Sequence, residues 1–229
     1  MKRSQILTLG GATVALALAP TAALAAGGTT VNVRIEGKTS TLLAATNVKT
    51  HTGSITKGGT PAGTCPATTA AGALDVATHH NWAGSYGSLG LSVTSILGES
   101  HPFTSSYYWS VWVNDKFATA GVCGLKLHAG EQLLFAAVPD KGSTEYPIVL
   151  TGPGHATVNA PFKVKASYFN AKGVAKPLAD VHLAGGSVNA TTGKNGTASI
   201  DTTKSGALKL RASSQGFIRS ATLSVSVAK

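Results

Sequence analysis

The chain has 229 residues, a formal net charge of +10 and 27 glycines. Only 12% of its residues are charged, and the frequent Gly, Thr and Val residues suit short strands and tight turns. The composition therefore argues against a protein built mainly of long helices, and the length allows one or two domains.

The first 26 residues have the pattern of a secretory signal peptide. Lys2 and Arg3 form a positively charged start, residues 6–18 are apolar, and the small residues around Ala23 and Ala25 match a cleavage site. The alternative is an N-terminal anchor that is retained. We expect cleavage, which leaves a secreted or extracellular chain without a transmembrane segment, either free or associated with the cell wall.

The two cysteines, Cys65 and Cys123, are the only ones in the chain. Outside the cytoplasm such a pair is expected to form one structural disulfide. The alternative is a pair of free, reactive thiols. Two cysteines cannot form a four-cysteine zinc site, so the sequence predicts no metal there.

Residues 27–144 predict strands and one helix, in the order of two strands, a helix and three strands. In residues 29–37 apolar and polar side chains alternate, which predicts a half-buried strand with Arg34 and Glu36 on its less buried face. Alanines and Leu74 at helical spacing predict a helix of about three turns within residues 66–81. Further strands are predicted at 40–50, 91–99, 107–113 and 130–139. This order predicts an α+β unit, in which a mixed sheet packs against a single helix.

The aromatic segment at residues 107–115 (YYWSVWVND) is predicted to be a strand followed by a turn. Alternation places Tyr107, Trp109, Val111 and Val113 on one face, and Tyr108, Ser110, Trp112 and Asn114 on the other. The turn begins at Asn114-Asp115, and residues 117–123 are predicted to return as the next strand.

Tyr108 and Trp112 stand four positions apart in the sequence, on the face that is predicted to be less buried. An exposed Tyr beside an exposed Trp would form a stacking platform for a sugar or another flat ligand, and Trp82 and Tyr86 could join it. The alternative is that this face also packs, either against the loop that contains Trp82 and Tyr86 or against the second domain. The four residues are the candidate binding site.

Residues 145–229 show short strands separated by Gly, Asn and Pro turns at a spacing of roughly ten residues, including the tight turn at Asn195-Gly196. No helix is predicted there. This pattern is typical of a small all-β sandwich.

The positive charge is concentrated in residues 145–229. They carry ten basic and three acidic residues, a net +7, whereas residues 27–144 carry seven basic and six acidic residues, a net +1. Such an excess favours polyanions, so the predicted partner is a cell-envelope polyanion or glycan. The alternative is that the lysines only solvate the outer strands. Few aromatic residues are interleaved with them, so specific nucleic-acid binding is not expected.

The segments VNVRIEG, ALDVA, LSVTSILGE and YYWSVWVNDKFATAGVCGLKLHAGEQLLF together resemble a secreted bacterial domain family of unknown function. That family is similar to the C-terminal β-grasp domain of the cobalamin carrier transcobalamin. The resemblance covers about residues 29–140 and implies a β-grasp fold and a disulfide within the domain. The usual Asn-Gly turn is replaced here by Asn114-Asp115. The second half resembles bacterial immunoglobulin-like or carboxypeptidase-regulatory-like domains.

These patterns predict an α+β β-grasp-like domain at 27–144, followed by an all-β immunoglobulin-like sandwich at 145–229. Corrinoid or other small-molecule binding is the alternative function that the resemblance implies.

No enzymatic motif stands out in the sequence. His79 and His80 are adjacent, so on a helix they diverge and cannot chelate one metal ion. Glu99 and His101 alternate to the side opposite Ser100, which excludes a catalytic triad of these three. We therefore expect no catalytic residues, no cofactor and no metal. The predicted function is a secreted or cell-surface, non-enzymatic binding or adhesion module of unknown ligand.

Overall fold

The computed structural model describes residues 28–229. The predicted signal peptide, residues 1–26, lies outside the described residues. Within the described range there are nineteen strands and one helix. The first part contains β1 (Thr30–Glu36), β2 (Thr41–Lys49), α1 (Ala70–Ala77), β3 (Trp82–Gly87), β4 (Gly90–Ile96), β5 (Glu99–Ser100), β6 (Tyr107–Val113), β7 (Lys116–Phe117) and β8 (Gln132–Pro139).

The second part consists of strands alone. They are β9 (Tyr146–Pro147), β10 (Val149–Thr151), β11 (His155–Thr157), β12 (Phe162–Phe169), β13 (Ala175–Pro177), β14 (His182–Gly185), β15 (Val188–Thr191), β16 (Thr197–Ile200), β17 (Gly206–Ser213), β18 (Phe217–Ile218) and β19 (Leu223–Ala228). We refer to residues 28–144 as the N-terminal half and to residues 145–229 as the C-terminal half.

The N-terminal half contains two sheets. The larger sheet has the strand order β2-β1-β8-β6-β7, in which β1 and β8 are parallel and the other neighbours are antiparallel. Helix α1 packs against β1 and β2. The second sheet is an antiparallel meander of β3, β4 and β5. Both sheets and the helix contribute to one apolar core, which includes Val33, Leu74, Ile96 and Phe135.

The predicted fold class, an α+β β-grasp-like domain followed by an immunoglobulin-like sandwich, is wrong. The described chain is β-rich throughout, and its one helix has eight residues, not the three turns expected. The sequence prediction also missed the meander, because β3 (WAGSYG) lacks a clean alternation and contains two glycines. Residues 117–123 do not return as a strand beyond Phe117, since β7 ends there.

The C-terminal half is built of two larger sheets that share one core. The first has the order β10-β12-β13, with β16 also pairing with β12, and the second has the order β11-β19-β17-β14-β15. Val164 and Ala166 of β12 and Leu208 and Leu210 of β17 point into the core that both sheets enclose. Two short parallel strands, β9 and β18, form a separate pair.

A third apolar cluster joins the two halves. It consists of Trp112, Leu134, Ala136, Val138 and Ile218, with Tyr146 packed against it. The first four lie on β6 and β8, and the last two lie on β18 and β9. The face of the larger sheet opposite to α1 is therefore covered by the C-terminal half.

Candidate functional site

The two faces of β6 are both packed, against different partners. Trp109 belongs to the core of the N-terminal half, whereas Trp112 on the opposite face lies in the cluster between the halves and is only 1% exposed. The Trp112 Nε1 donates to the Ser110 hydroxyl at 3.0 Å. The Trp112 ring is therefore not open to solvent. Its face of β6 packs against the C-terminal half, which is the alternative predicted from the sequence. Tyr108, at the start of the strand, remains exposed.

Trp82 and Tyr86 lie elsewhere, so the four predicted site residues do not form one platform. Trp82 is 5% exposed, and its Nε1 donates to Oδ1 of the buried Asp75 at 2.7 Å. The Lys57 ammonium stands 5.1 Å from the centroid of the Trp82 ring. Tyr86 is half-buried against the core of the N-terminal half. These contacts anchor the meander to α1 and leave Tyr108 and Trp112 as the pair that can share a site.

Tyr108 and Trp112 line a cleft between the two halves with a volume of about 520 Å³. We call this site the aromatic cleft. Its aromatic lining residues come from both halves and are Tyr108, Trp112, Phe117, Tyr146 and Phe169. The Trp112 ring meets Phe117 and Tyr146 edge-on, with centroid distances of 5.1 and 5.8 Å. Trp112 thus supports two of the rings from below.

The charged side chains that line the aromatic cleft are Lys116 and Lys172. Lys172 lies in the loop between β12 and β13, where the Asn170 Oδ1 accepts from the main-chain N–H groups of Lys172 and Val174 at 3.0 Å each. This Asn side chain fixes the loop that forms one wall of the cleft. Partial burial, together with the nearby Asp140 carboxylate, raises the pKa of the Tyr108 hydroxyl.

An ionic cluster around the buried Glu36 carboxylate joins the two halves. The Glu36 carboxylate, 1% exposed, accepts from Arg34 at 2.9 Å, from Arg211 at 2.6 Å, from Arg219 at 2.9 Å and from the Thr41 hydroxyl at 2.9 Å. We call these five residues the Glu36 cluster. Arg34 and Glu36 come from β1, whereas Arg211 and Arg219 come from the C-terminal half. Three guanidinium groups around one carboxylate leave a local excess of positive charge.

Main-chain contacts extend the Glu36 cluster across the boundary. Arg34 Nη1 donates to the Arg219 carbonyl at 2.6 Å, and Arg219 Nη2 donates to the carbonyls of Gly37 and Ser40 at 2.6 and 2.9 Å. Arg211 Nη2 donates to the Ser220 carbonyl at 2.9 Å. Each arginine thus has at least one further acceptor besides the shared carboxylate, and such additional hydrogen bonds are the condition for a buried ion pair to be tolerated.

Burial around the Glu36 cluster shifts the pKa of several groups. Burial lowers the pKa of Arg34, and the neighbouring Glu36 opposes that shift. Burial raises the pKa of Asp115, against the attraction of Arg34, and it raises the pKa of Glu145, against the attraction of Arg219.

Sequence reasoning missed the Glu36 cluster because alternation placed Arg34 and Glu36 on the less buried face of a half-buried strand. In the structure that face is buried as well. One signal was present in the sequence: an Arg and a Glu two residues apart on the same face of a strand, in a chain whose other half carries excess arginine and lysine.

The predicted disulfide is confirmed between Cys65 and Cys123, with a Cα–Cα distance of 4.6 Å.

His79 and His80 follow the end of α1 and adopt positive φ values of 50° and 65°. His80 Nδ1 contacts the Asp75 carboxylate at 2.6 Å.

The Glu99 carboxylate lies 2.8 Å from Nε2 of His101, so these side chains do share a side as alternation predicts. In residues 28–229 no group of three His, Cys, Asp or Glu residues could hold a metal ion. Over the same range, no helix has the length and apolar character needed to span a membrane.

Comparisons with known proteins give one family match. Residues 68–137 match a family described as a domain of unknown function (DUF4430), a segment that contains α1, β6 and most of β8. No curated protein matches the chain. Among solved structures, the crystal structure of red sea bream transglutaminase is similar over 43% of this chain and 17% of that chain, at 20% identity and a TM-score of 0.26.

A TM-score of 0.26 does not define a shared fold, and the chain spans less than a fifth of the transglutaminase. The expected relations to transcobalamin and to immunoglobulin-like domains stay predictions. Residues 68–137 are thus similar to a domain family whose function is unknown.

Proposed function

We propose that the protein is a secreted, non-enzymatic binding module, and that it binds a ring-containing, negatively charged ligand, such as an acidic sugar unit of the cell envelope, in the aromatic cleft. The observation that carries this proposal is the lining of the cleft, which combines five aromatic side chains with two lysines as its charged groups. Its volume of about 520 Å³ is within the range of small-ligand sites.

The aromatic rings supply the flat contact surface. Tyr108 and Phe117 are exposed, Tyr146 and Phe169 are half-buried, and Trp112 holds Phe117 and Tyr146 from below. Exposed rings that are held by a rigid support lose little conformational entropy when a flat ligand covers them. This is why the cleft is a better candidate than an isolated exposed ring.

The lysines supply the charge preference. Lys116 and Lys172 face the cleft from the two halves, and neither forms an ion pair in the described part of the chain. The C-terminal half carries a net charge of +7, which attracts anions over long range and does so less at high salt.

Binding is favoured over catalysis because the cleft lining contains neither a carboxylate nor an imidazole. Those are the groups that most often transfer protons at neutral pH. Secretion is supported by the pattern of residues 1–26 and by a disulfide, since disulfides persist in oxidising compartments.

The test is isothermal titration calorimetry on the full chain with two sets of ligands. The first set is oligosaccharides that contain glucuronate, and the second is the same oligosaccharides after reduction of their carboxyl groups. The variants are Phe169→Ala and Lys172→Ala, and the matched control is Lys176→Ala, an exposed lysine of β13 outside the cleft lining. Trp112→Ala is unsuitable, because emptying so buried a site costs about 3–5 kcal/mol of stability.

We expect the acidic form to bind more tightly, Lys172→Ala to weaken binding by about 2- to 5-fold, and Lys176→Ala to leave it unchanged. Equal binding of the acidic and the reduced forms would disprove the charge preference. If Lys172→Ala and Lys176→Ala changed the affinity equally, the aromatic cleft would not be the binding site. A change in the visible spectrum of added cobalamin would favour the corrinoid alternative instead.

A further inference from the structure

The outer edge of strand β6 is open over most of its length. On one side β6 pairs with β8 from Tyr107 to Val113. On the other side β7 pairs only with Trp112 and Val113, and the Ala118 N–H donates to the Val111 carbonyl at 2.9 Å. The part of β6 from Tyr107 to Val111 therefore has a strand neighbour on one side only.

The contacts of Val111 identify which main-chain groups point outwards. Because N–H and C=O groups alternate between the two edges of a strand, the groups of Trp109 point to the same edge as those of Val111. Within residues 28–229, the Trp109 main-chain N–H and C=O and the Val111 N–H have no partner at this edge. The indole Nε1 of Trp109 is also buried without a partner there.

The segment that follows β7 does not continue along this edge, because its contacts hold it against α1. The carbonyl of Val122 accepts from the N–H of Ala71 at 3.1 Å, and Cys123 is bonded to Cys65. The strand that the sequence predicts at residues 117–123 would have filled the edge. In the structure, the first turn of the helix and the disulfide hold that segment instead, so a strand position beside β6 is left vacant.

A groove of about 260 Å³, with a mixed lining of apolar and polar side chains, runs along the vacant position. Five large hydrophobic side chains are exposed in residues 28–229, and four of them border this groove: Leu89, Phe103, Tyr108 and Phe117. Leu89 is 90% exposed and Phe103 is 75% exposed. An apolar patch concentrated in this way beside an unpaired strand edge is characteristic of an interaction surface.

We propose that the groove binds an extended polypeptide strand of a partner, which adds to the sheet beside β6 and places small apolar side chains against Leu89 and Phe103. We choose an extended strand as the partner because β6 has unpaired main-chain donors and acceptors at this edge. An extended backbone presents alternating N–H and C=O groups that can form hydrogen bonds with them. The groove is concave, with β4 as its second wall, which favours a single inserted strand over the edge of another sheet. This site is separate from the aromatic cleft, although Tyr108 and Phe117 border both.

The experiment uses the full chain and a blocked pentapeptide of alternating threonine and valine, which has high strand propensity. Binding is followed by amide hydrogen exchange, with the amides of Trp109 and Val111 as reporters. The matched probe is the same peptide with N-methyl groups on alternate amides, which keeps the side chains and removes the donors on one edge. The protein variants are Leu89→Ser and Phe103→Ser, with Val174→Ser as the control, an exposed hydrophobic residue outside the groove.

We expect the peptide to protect the amides of Trp109 and Val111. N-methylation should weaken binding by about 10-fold, because two or more hydrogen bonds are lost. Leu89→Ser and Phe103→Ser should weaken it several-fold, and Val174→Ser should not. The proposal is overturned if the peptide does not bind at millimolar concentration or binds without protecting these amides, or if the methylated peptide binds equally well. If protection of these amides increased with protein concentration in the absence of peptide, the edge would pair with a second copy of the chain. That result would also overturn the proposal.

Discussion

Replacing Glu36 with glutamine is expected to destabilise the protein by about 3 kcal/mol. Glutamine keeps the shape of the side chain and removes the charge that compensates Arg34, Arg211 and Arg219. Arg34 has little access to water that could replace the carboxylate, because its side chain is only 7% exposed. Arg211 and Arg219 have side-chain exposures of 34% and 26%, so they recover part of their hydration. The loss should therefore fall at the lower end of the 3–5 kcal/mol range typical of a broken buried ion pair.

Urea unfolding at neutral pH, followed by tryptophan fluorescence, measures this loss. Trp112 lies between the halves, so its fluorescence changes when they separate. In the variant, this change should occur at a lower urea concentration than the unfolding of the rest of the protein. The matched control is Glu131→Gln, whose partner His128 has a side chain that is 82% exposed, and which should cost less than about 1 kcal/mol. If Glu36→Gln cost no more than this control, the Glu36 cluster would not be what holds the halves together.

Three further predictions concern the N-terminal half. Reducing the Cys65–Cys123 bond, which joins positions 58 residues apart, should lower the free energy of unfolding by about 4 kcal/mol in the chain-entropy account; identical urea midpoints for oxidised and reduced protein would contradict this. Burial raises the pKa of Asp115, so the native state favours its protonated form, and the stability that this confers is lost as pH rises through the native pKa. Asp115→Asn should therefore be more stable than the wild type at pH 7 and show less pH dependence above pH 4, since Asn tolerates the positive φ of 61° there; a less stable variant at pH 7 would refute this sign. Gly72→Ala should destabilise α1 although alanine favours helices, because its Cβ would lie 1.8 Å from the Ala67 carbonyl oxygen; a gain in thermal midpoint would show that the backbone relaxes.

Several elements could be predicted from the sequence because their cause is local. Alternation indicated β1 and β6, short strand-forming segments indicated β4 and β8, and helical spacing around Leu74 indicated α1. The turn at Asn114-Asp115 was also indicated, and both residues have positive φ values, 48° and 61°. The disulfide followed from the number of cysteines and the expected compartment.

The errors arose where the outcome depends on distant residues. Alternation shows which side chains share a face of a strand, but it does not show whether another part of the chain covers that face. Trp112 and Glu36 were therefore expected to be less buried, and packing of the C-terminal half buries both. The predicted binding residues Trp82 and Trp112 have similar chemistry, yet the Asp75 contact keeps Trp82 with α1 and away from the cleft.

The sequence by itself determined the local pattern of this protein: short strands, one helix, a cysteine pair and a basic second half. Only the tertiary structure decided which polar and aromatic residues meet. The aromatic cleft and the Glu36 cluster each combine residues more than thirty positions apart along the chain, and the vacant edge of β6 exists because residues 118–125 are held against α1. Such features depend on how separate segments pack, because burial and pairing are properties of neighbours in space and not of neighbours in sequence.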